Sequence, residues 1–339
     1  LKSIYGWNLI LRDNLQNLSV SSLVWVSGQA LISRLSRFKY AYAKLKLNHL
    51  ITKEILMSKT KIFTDSTSDL PSSWASQYDI GIVPLYVVFN QESYKDGIEI
   101  SPNDIYKRVA ESNQLPKTSA PTPKDFMDAF APVIEQGHDI VYISLSSQIS
   151  STYQNAVIAA SEFPDGRIQI VDSLTLCTGI SLLVMKAVKA AEEGKSAGEI
   201  VTMLESLRHQ VETEFVIDTL EYLYKGGRCS GMQHFIGSLL QIRPVLRLVE
   251  GNIIPAHKVR GKKEKAVQQM LNNALENRHH MDTDLIFVVH TLAEEEAIKV
   301  AAILKEHTNV KEIAIAEAGC VISSHCGPHT LGLMYIKKD

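Results

Sequence analysis

From residue 57 onward, apolar runs of strand length alternate with amphipathic helical stretches, and that alternation confines the chain to layers of sheet and helix. Strands are read at 61–64, 80–89, 140–145 and 168–172, with helices from near Pro71, from Ser101 and Pro102, over about 123–136, after Thr152, and over about 176–193 and 197–211. Strands separated by helices predict a largely parallel sheet covered on both faces, whose ligands bind beyond the carboxyl ends of the strands. Asp65 to Asp69 offers side chains to cap the helix near Pro71. Near Thr213 the pattern changes. Runs at 244–250 and 253–259 flank Gly251 and Asn252, a hairpin signal, and further strands are read at 285–290, 313–317 and 331–336. An apolar helix is expected around 235–240. The expected class is α/β with two domains: an N-terminal α/β domain over 57–212 and a C-terminal α+β domain over 213–339, a division that suits 339 residues.

Charge sets the first residues apart. Net charge is only −2, yet residues 1–56 carry eight Lys or Arg against Asp13 and Glu54, which leaves the remainder acidic. Bulk nucleic-acid binding by the main body is therefore disfavoured. The basic segment reads as an extension outside the core, as a membrane-surface helix giving transient membrane contact, or as a targeting peptide. Four cysteines without Cys-x-x-Cys spacing, and no recognisable secretory signal, point to a reduced cytoplasmic setting. Cys320, His325, Cys326 and His329 could be counted as metal ligands, but their spacing matches no familiar zinc site, and neither metal nor cofactor is expected.

Hydroxyl side chains gather at three polar segments: Thr118 and Ser119 after Lys117, Ser146 to Thr152 after a strand, and Ser323 and Ser324 before His325, Cys326, Gly327 and Pro328. Read as loops at the tips of buried elements, they form a cradle for a carboxylate or oxyanion. Ser150, Ser151 and Thr152 serve equally well as caps of the following helix. His325 is read as a hydrogen-bonding partner of a bound carboxylate, as a base for a nearby serine, or as a surface-loop histidine. No acidic pair, phosphate-binding glycine fingerprint or Gly-x-Ser-x-Gly elbow accompanies them, so holding an anionic group is favoured over catalysis. The competing classes are a lipid or ester hydrolase or carboxylate phosphotransferase using Ser150 or Thr118 with His325, and a lipid or small-acid sensor.

Five segments in order, Thr64 to Leu70, Lys117 to Ser119, Ser146 to Gln154, Lys225 to Arg228 and His325 to Pro328, resemble the DegV family of fatty-acid-binding proteins across nearly all of residues 60–338. That resemblance implies a DegV-like, bacterial, cytoplasmic protein of two α/β domains that holds one long-chain fatty acid in a tunnel between them. It implies a carrier subunit without chemistry of its own, which presents the acid to a separate fatty acid kinase. The acyl phosphate then feeds phospholipid synthesis. By motif, Thr118, Ser119, Ser150, Ser151 and His325 would surround the carboxylate and Arg228 would face the partner. Ser150-Ser151-Thr152 stands where family members usually read Ser-Gly-Thr, and His329 follows Pro328 where a glycine is common.

Overall fold

The computed structural model describes residues 60–228 and 242–338. The basic segment 1–56, Cys229 and the apolar run 235–240 lie outside the described residues. The first half runs β1 (Thr60–Asp65), α1 (Ser72–Gln77), β2 (Gly81–Val83), β3 (Tyr86–Phe89), β4 (Glu92–Lys95), α2 (Pro102–Ser112), β5 (Lys117–Ser119), α3 (Pro123–Glu135), β6 (Asp139–Ser144), α4 (Thr152–Ala160), β7 (Ile168–Asp172), α5 (Thr178–Glu192) and α6 (Ala197–Leu207). The second runs β8 (Val211–Val216), α7 (Glu221–Lys225), β9 (Ile242–Val249), β10 (Asn252–Arg260), α8 (Lys263–Glu276), β11 (Leu285–His290), α9 (Glu294–His307), β12 (Glu312–Glu317), α10 (Cys320–Cys326) and β13 (Leu331–Ile336).

Strands β2-β1-β6-β7 form a parallel sheet. Side-chain alternation along β6 explains why both its faces are covered. Ile140 and Tyr142 pack with Phe126, Phe130, Ala156 and Ala159 of α3 and α4, while Val141 and Ile143 pack with Ile180, Leu183, Ile200 and Leu204 of α5 and α6. The other large sheet, β10-β9-β8-β13-β11-β12, is antiparallel except for the β11–β12 pair. Its Phe215, Phe287, Val289 and Met334 join the cluster around α5. The intervening residues Val216, Ile286, Val288, Leu331 and Leu333 pack against α8 and α9. Helix α5 thus contacts both sheets and is apolar around most of its circumference.

Three local readings are corrected. The run 80–89 is not one strand: it breaks at Pro84, which lacks a ladder donor, into β2 of the parallel sheet and β3 of a small β4-β3-β5 sheet. The polar loop expected after Asn113 contains β5, pairing Thr118 with Val87 and Ser119 with Tyr86. Asp65 caps the short turn Ser66–Ser68 through Thr67 N, whereas α1 starts after Pro71 without a side-chain cap. By contrast, Ser101 and Asp104 form a reciprocal capping box on α2. Ser101→Ala is expected to cost about 1 kcal/mol of stability, read as a lower urea midpoint with an unchanged m-value.

Candidate functional site

Strands β1 and β6 are neighbours at the point where the order of the parallel sheet reverses, and their carboxyl ends carry the polar segments. Thr64 Oγ1 donates to Ile143 O at 2.9 Å. Fully buried Asp65 accepts from Leu145 N and Tyr142 Oη, each at 2.9 Å, and from Thr67 N at 3.0 Å. Burial pushes its carboxyl pKa up, against the pull of these donors. The chain therefore enters the 146–151 loop from a fixed point. Ser146 Oγ donates to Gly251 O at 3.0 Å in the β9–β10 turn, where φ of +78° suits glycine. Ser150 Oγ accepts from Thr152 N at 3.2 Å and shares a hydrogen bond of 2.8 Å with Thr152 Oγ1, so it caps the first turn of α4. Ser151, the N-cap position, makes no side-chain capping bond.

These elements enclose a cavity of about 230 Å³. Thr118, Ser119, Ser150, Ser151, Arg228 and His325 supply its polar lining, and Leu85, Leu145, Ile149, Leu176, Ile253 and Ile322 much of the apolar lining. All five residues expected around an anionic head are thus brought together, from β5, the 146–151 loop and α10. Arg228, expected to face a partner, also lines the cavity. Its guanidinium donates to Gly226 O at 2.7 Å and Ile149 O at 3.2 Å, joining the end of α7 to the serine loop.

The segment before Gly327 was expected to be a loop, but His325 sits in the last turn of the helix α10. Gly327 and Pro328 terminate that helix rather than forbidding it, with Gly327 N donating to Ser323 O. Ser323 and Ser324 consequently turn inward, donating to Ala318 O and Cys320 O, and are not part of the cradle. His325 Nε2 lies 2.8 Å from Thr118 Oγ1. Among the described residues its Nδ1 is buried without a hydrogen-bond partner, packed over Gly226, where any β-carbon would collide with it. Burial, then the Arg228 charge, pulls the imidazole pKa down to about 4, so the ring is neutral near pH 7. Two tautomers satisfy the Thr118 contact. Only the one protonated at Nε2 leaves the Thr118 hydroxyl proton free to donate into the cavity.

Leu176, Ile322 and Cys326 are shared with a small apolar void of about 20 Å³ that reaches Phe215, Val289 and Met334 in the core. Of the cavity's lining, Ser119 and Ser151 are exposed, whereas Leu85, Leu145, Leu176, Ile253 and Ile322 are buried. The four residues weighed as metal ligands have diverging environments: Cys320 Sγ donates to Ile100 O, His325 meets Thr118, His329 Nδ1 meets Leu292 O, and Cys326 is buried beside the void. His329 has φ of +57°, in the region that favours glycine. Ser151, with φ of −81°, needs no glycine.

The apolar lining and Gly226 were not singled out from sequence. Gly226 was legible only as part of a turn, and its contact with a residue 99 positions later has no local signature.

Residues 59–338 match the family described as uncharacterised protein, DegV family. The chain is 34% identical over 282 residues to a DegV domain-containing protein of Caldanaerobacter subterraneus, covering 83% of this chain and all of that one. It is 35% identical over 280 residues to a Thermotoga maritima protein named fatty acid-binding protein, covering 81% and 96%. A Thermus thermophilus DegV structure described as fatty acid binding superposes with a TM-score of 0.75 at 34% identity, covering 82% and 99%.

Proposed function

The chain belongs to the DegV family, and from that premise we propose that its cavity holds a long-chain fatty acid, carboxylate toward the hydroxyls and tail toward the apolar end. The observation that carries this reading is the convergence of Thr118, Ser119, Ser150, Ser151 and His325 on one cavity whose apolar residues Leu176, Ile322 and Cys326 also line a neighbouring apolar void. Each methylene taken from water contributes about 0.8 kcal/mol, so roughly fourteen supply roughly 11 kcal/mol before ordering costs. Affinity comes from the tail. The ionised head must have its acceptors satisfied, and the hydroxyls together with the nearby Arg228 charge favour an acid over an alcohol or ester.

A carrier role suits the site better than hydrolysis. Among the described residues no carboxylate orients Nδ1 of His325, and the Ser150 hydroxyl is engaged with Thr152 rather than with the imidazole. Ser119 and Ser151 are exposed, so the head-group end is open to the surface. In this proposal a separate fatty acid kinase reaches the carboxylate there, with part-exposed Arg228 facing it, and forms an acyl phosphate for phospholipid synthesis in the cytoplasm. No helix among the described residues is long and apolar enough to cross a membrane.

Ser150→Ala tests the cradle. The fold should persist while fatty-acid affinity falls about five-fold, corresponding to about 1 kcal/mol for one net hydrogen bond. Titration with a long-chain fatty acid measures this, and unchanged affinity with unchanged phosphorylation by the kinase would remove Ser150 from the site.

A further inference from the structure

Ligand retention by the hydroxyl cradle makes no use of the buried acids at the other end of α10. Asp69 Oδ1 accepts from Gly319 N at 2.8 Å, and Asp96 Oδ1 accepts from Cys320 N at 2.8 Å. A β-carbon on Gly319 would lie 2.8 Å from Asp69 Oδ1 and 3.4 Å from Asp96 Oδ1, so the helix start sits directly on both carboxylates. Asp69 Oδ2 also accepts from the Cys177 thiol at 2.7 Å. Cys177 precedes α5 with φ of +54°, and its neighbour Leu176 lines the cavity. One carboxyl group therefore joins two elements that contribute to the proposed site.

Helix α10 spans only seven residues, so Gly319 lies about 9 Å along the axis from His325. Over that distance a tilt at Gly319 is carried to the imidazole with little damping. The contact between His325 and Thr118 tolerates little, because hydrogen bonds weaken steeply with distance and angle.

We propose that Asp69 is a positioning residue for head-group recognition: it seats α10 on Gly319 N so that His325 meets Thr118, and so sets the preference for a carboxylate over an uncharged head. The inference rests on the fatty-acid reading of the cavity. Asp69 acts here as a hydrogen-bond acceptor. Burial favours its neutral form, so charge is not the property required. Asp69→Asn keeps an acceptor for Gly319 N, and Asp69→Ala has none.

The test is the ratio of affinities for palmitic acid and its alcohol, measured on the full chain and on both variants, each shown to be folded. The ratio should fall about ten-fold in Asp69→Ala, equivalent to about 1.4 kcal/mol, and stay near the parent value in Asp69→Asn. A merely structural role would lower the unfolding midpoint and leave the ratio of the folded protein unchanged. That result, or an Asp69→Asn ratio as low as that of Asp69→Ala, overturns the proposal. If Asp69→Ala does not fold, Gly319→Ala displaces the same contact from the helix side, and a parent-like ratio there overturns it equally. A parent chain that shows no preference for the acid instead removes the fatty-acid reading, and this inference with it.

Discussion

Replacing Thr118 by valine is expected to weaken long-chain fatty-acid binding by about ten- to one-hundred-fold, while binding of the matching alcohol changes much less. Valine keeps the shape of the side chain, and β5 is held to β3 through its backbone, so the strand should persist. What is lost is the hydroxyl that meets His325 Nε2 at 2.8 Å and that, with the imidazole protonated at Nε2, has its own proton to give to the ligand. The carboxylate then loses a donor, and the imidazole, whose Nδ1 already has no partner among the described residues, loses the partner of its other nitrogen as well. Hydrogen bonds to charged groups are worth about 1.5–3 kcal/mol, which gives the stated range. Competition titration with acid and alcohol of equal chain length reads the effect. Equal losses for both would show that Thr118 shapes the cavity without contacting the head.

The second large effect is on stability against pH. The His325 pKa falls from the ordinary 6.5 to about 4 because the ring is buried and faces the Arg228 charge. Between pH 6.5 and 4 the unfolded chain takes up a proton that the folded chain refuses, so folding stability drops as pH falls through this window. It is unaffected by this group above the window, and no further loss occurs below it. The depression corresponds to about 3 kcal/mol between pH 7 and pH 4. His325→Gln lacks this contribution. Subtracting its urea-unfolding free energies from those of the parent chain isolates the histidine from carboxyls such as Asp69, whose raised pKa acts in the opposite direction. Parallel pH profiles for the two proteins would contradict the buried, neutral imidazole.

The parallel sheet was legible because β6 and β7 are short apolar runs followed by polar loops and helical periodicity, which leaves few alternatives. The serine loop was legible for the same reason, as the end of β6. Strand β5 was not, since Lys117, Thr118 and Ser119 carry no apolar alternation and acquire strand geometry only by pairing with β3. Helix α10 was obscured by its terminator: Gly327 and Pro328 mark where the helix ends, and its start is fixed by Asp69 and Asp96, each more than 220 residues away in sequence. Arg228 was legible as a cation, but its direction depends on the carbonyls of Gly226 and Ile149. Contacts so distant in sequence leave no local pattern to read.

The most direct test of the carrier account is mass spectrometry of the small molecules released on denaturing the purified full chain, beside the same ions from the Thr118→Val protein prepared identically. The account predicts a long-chain fatty acid near one equivalent per chain, reduced in the variant. A folded parent protein that releases no fatty acid, and takes none up when palmitic acid is supplied, would contradict it.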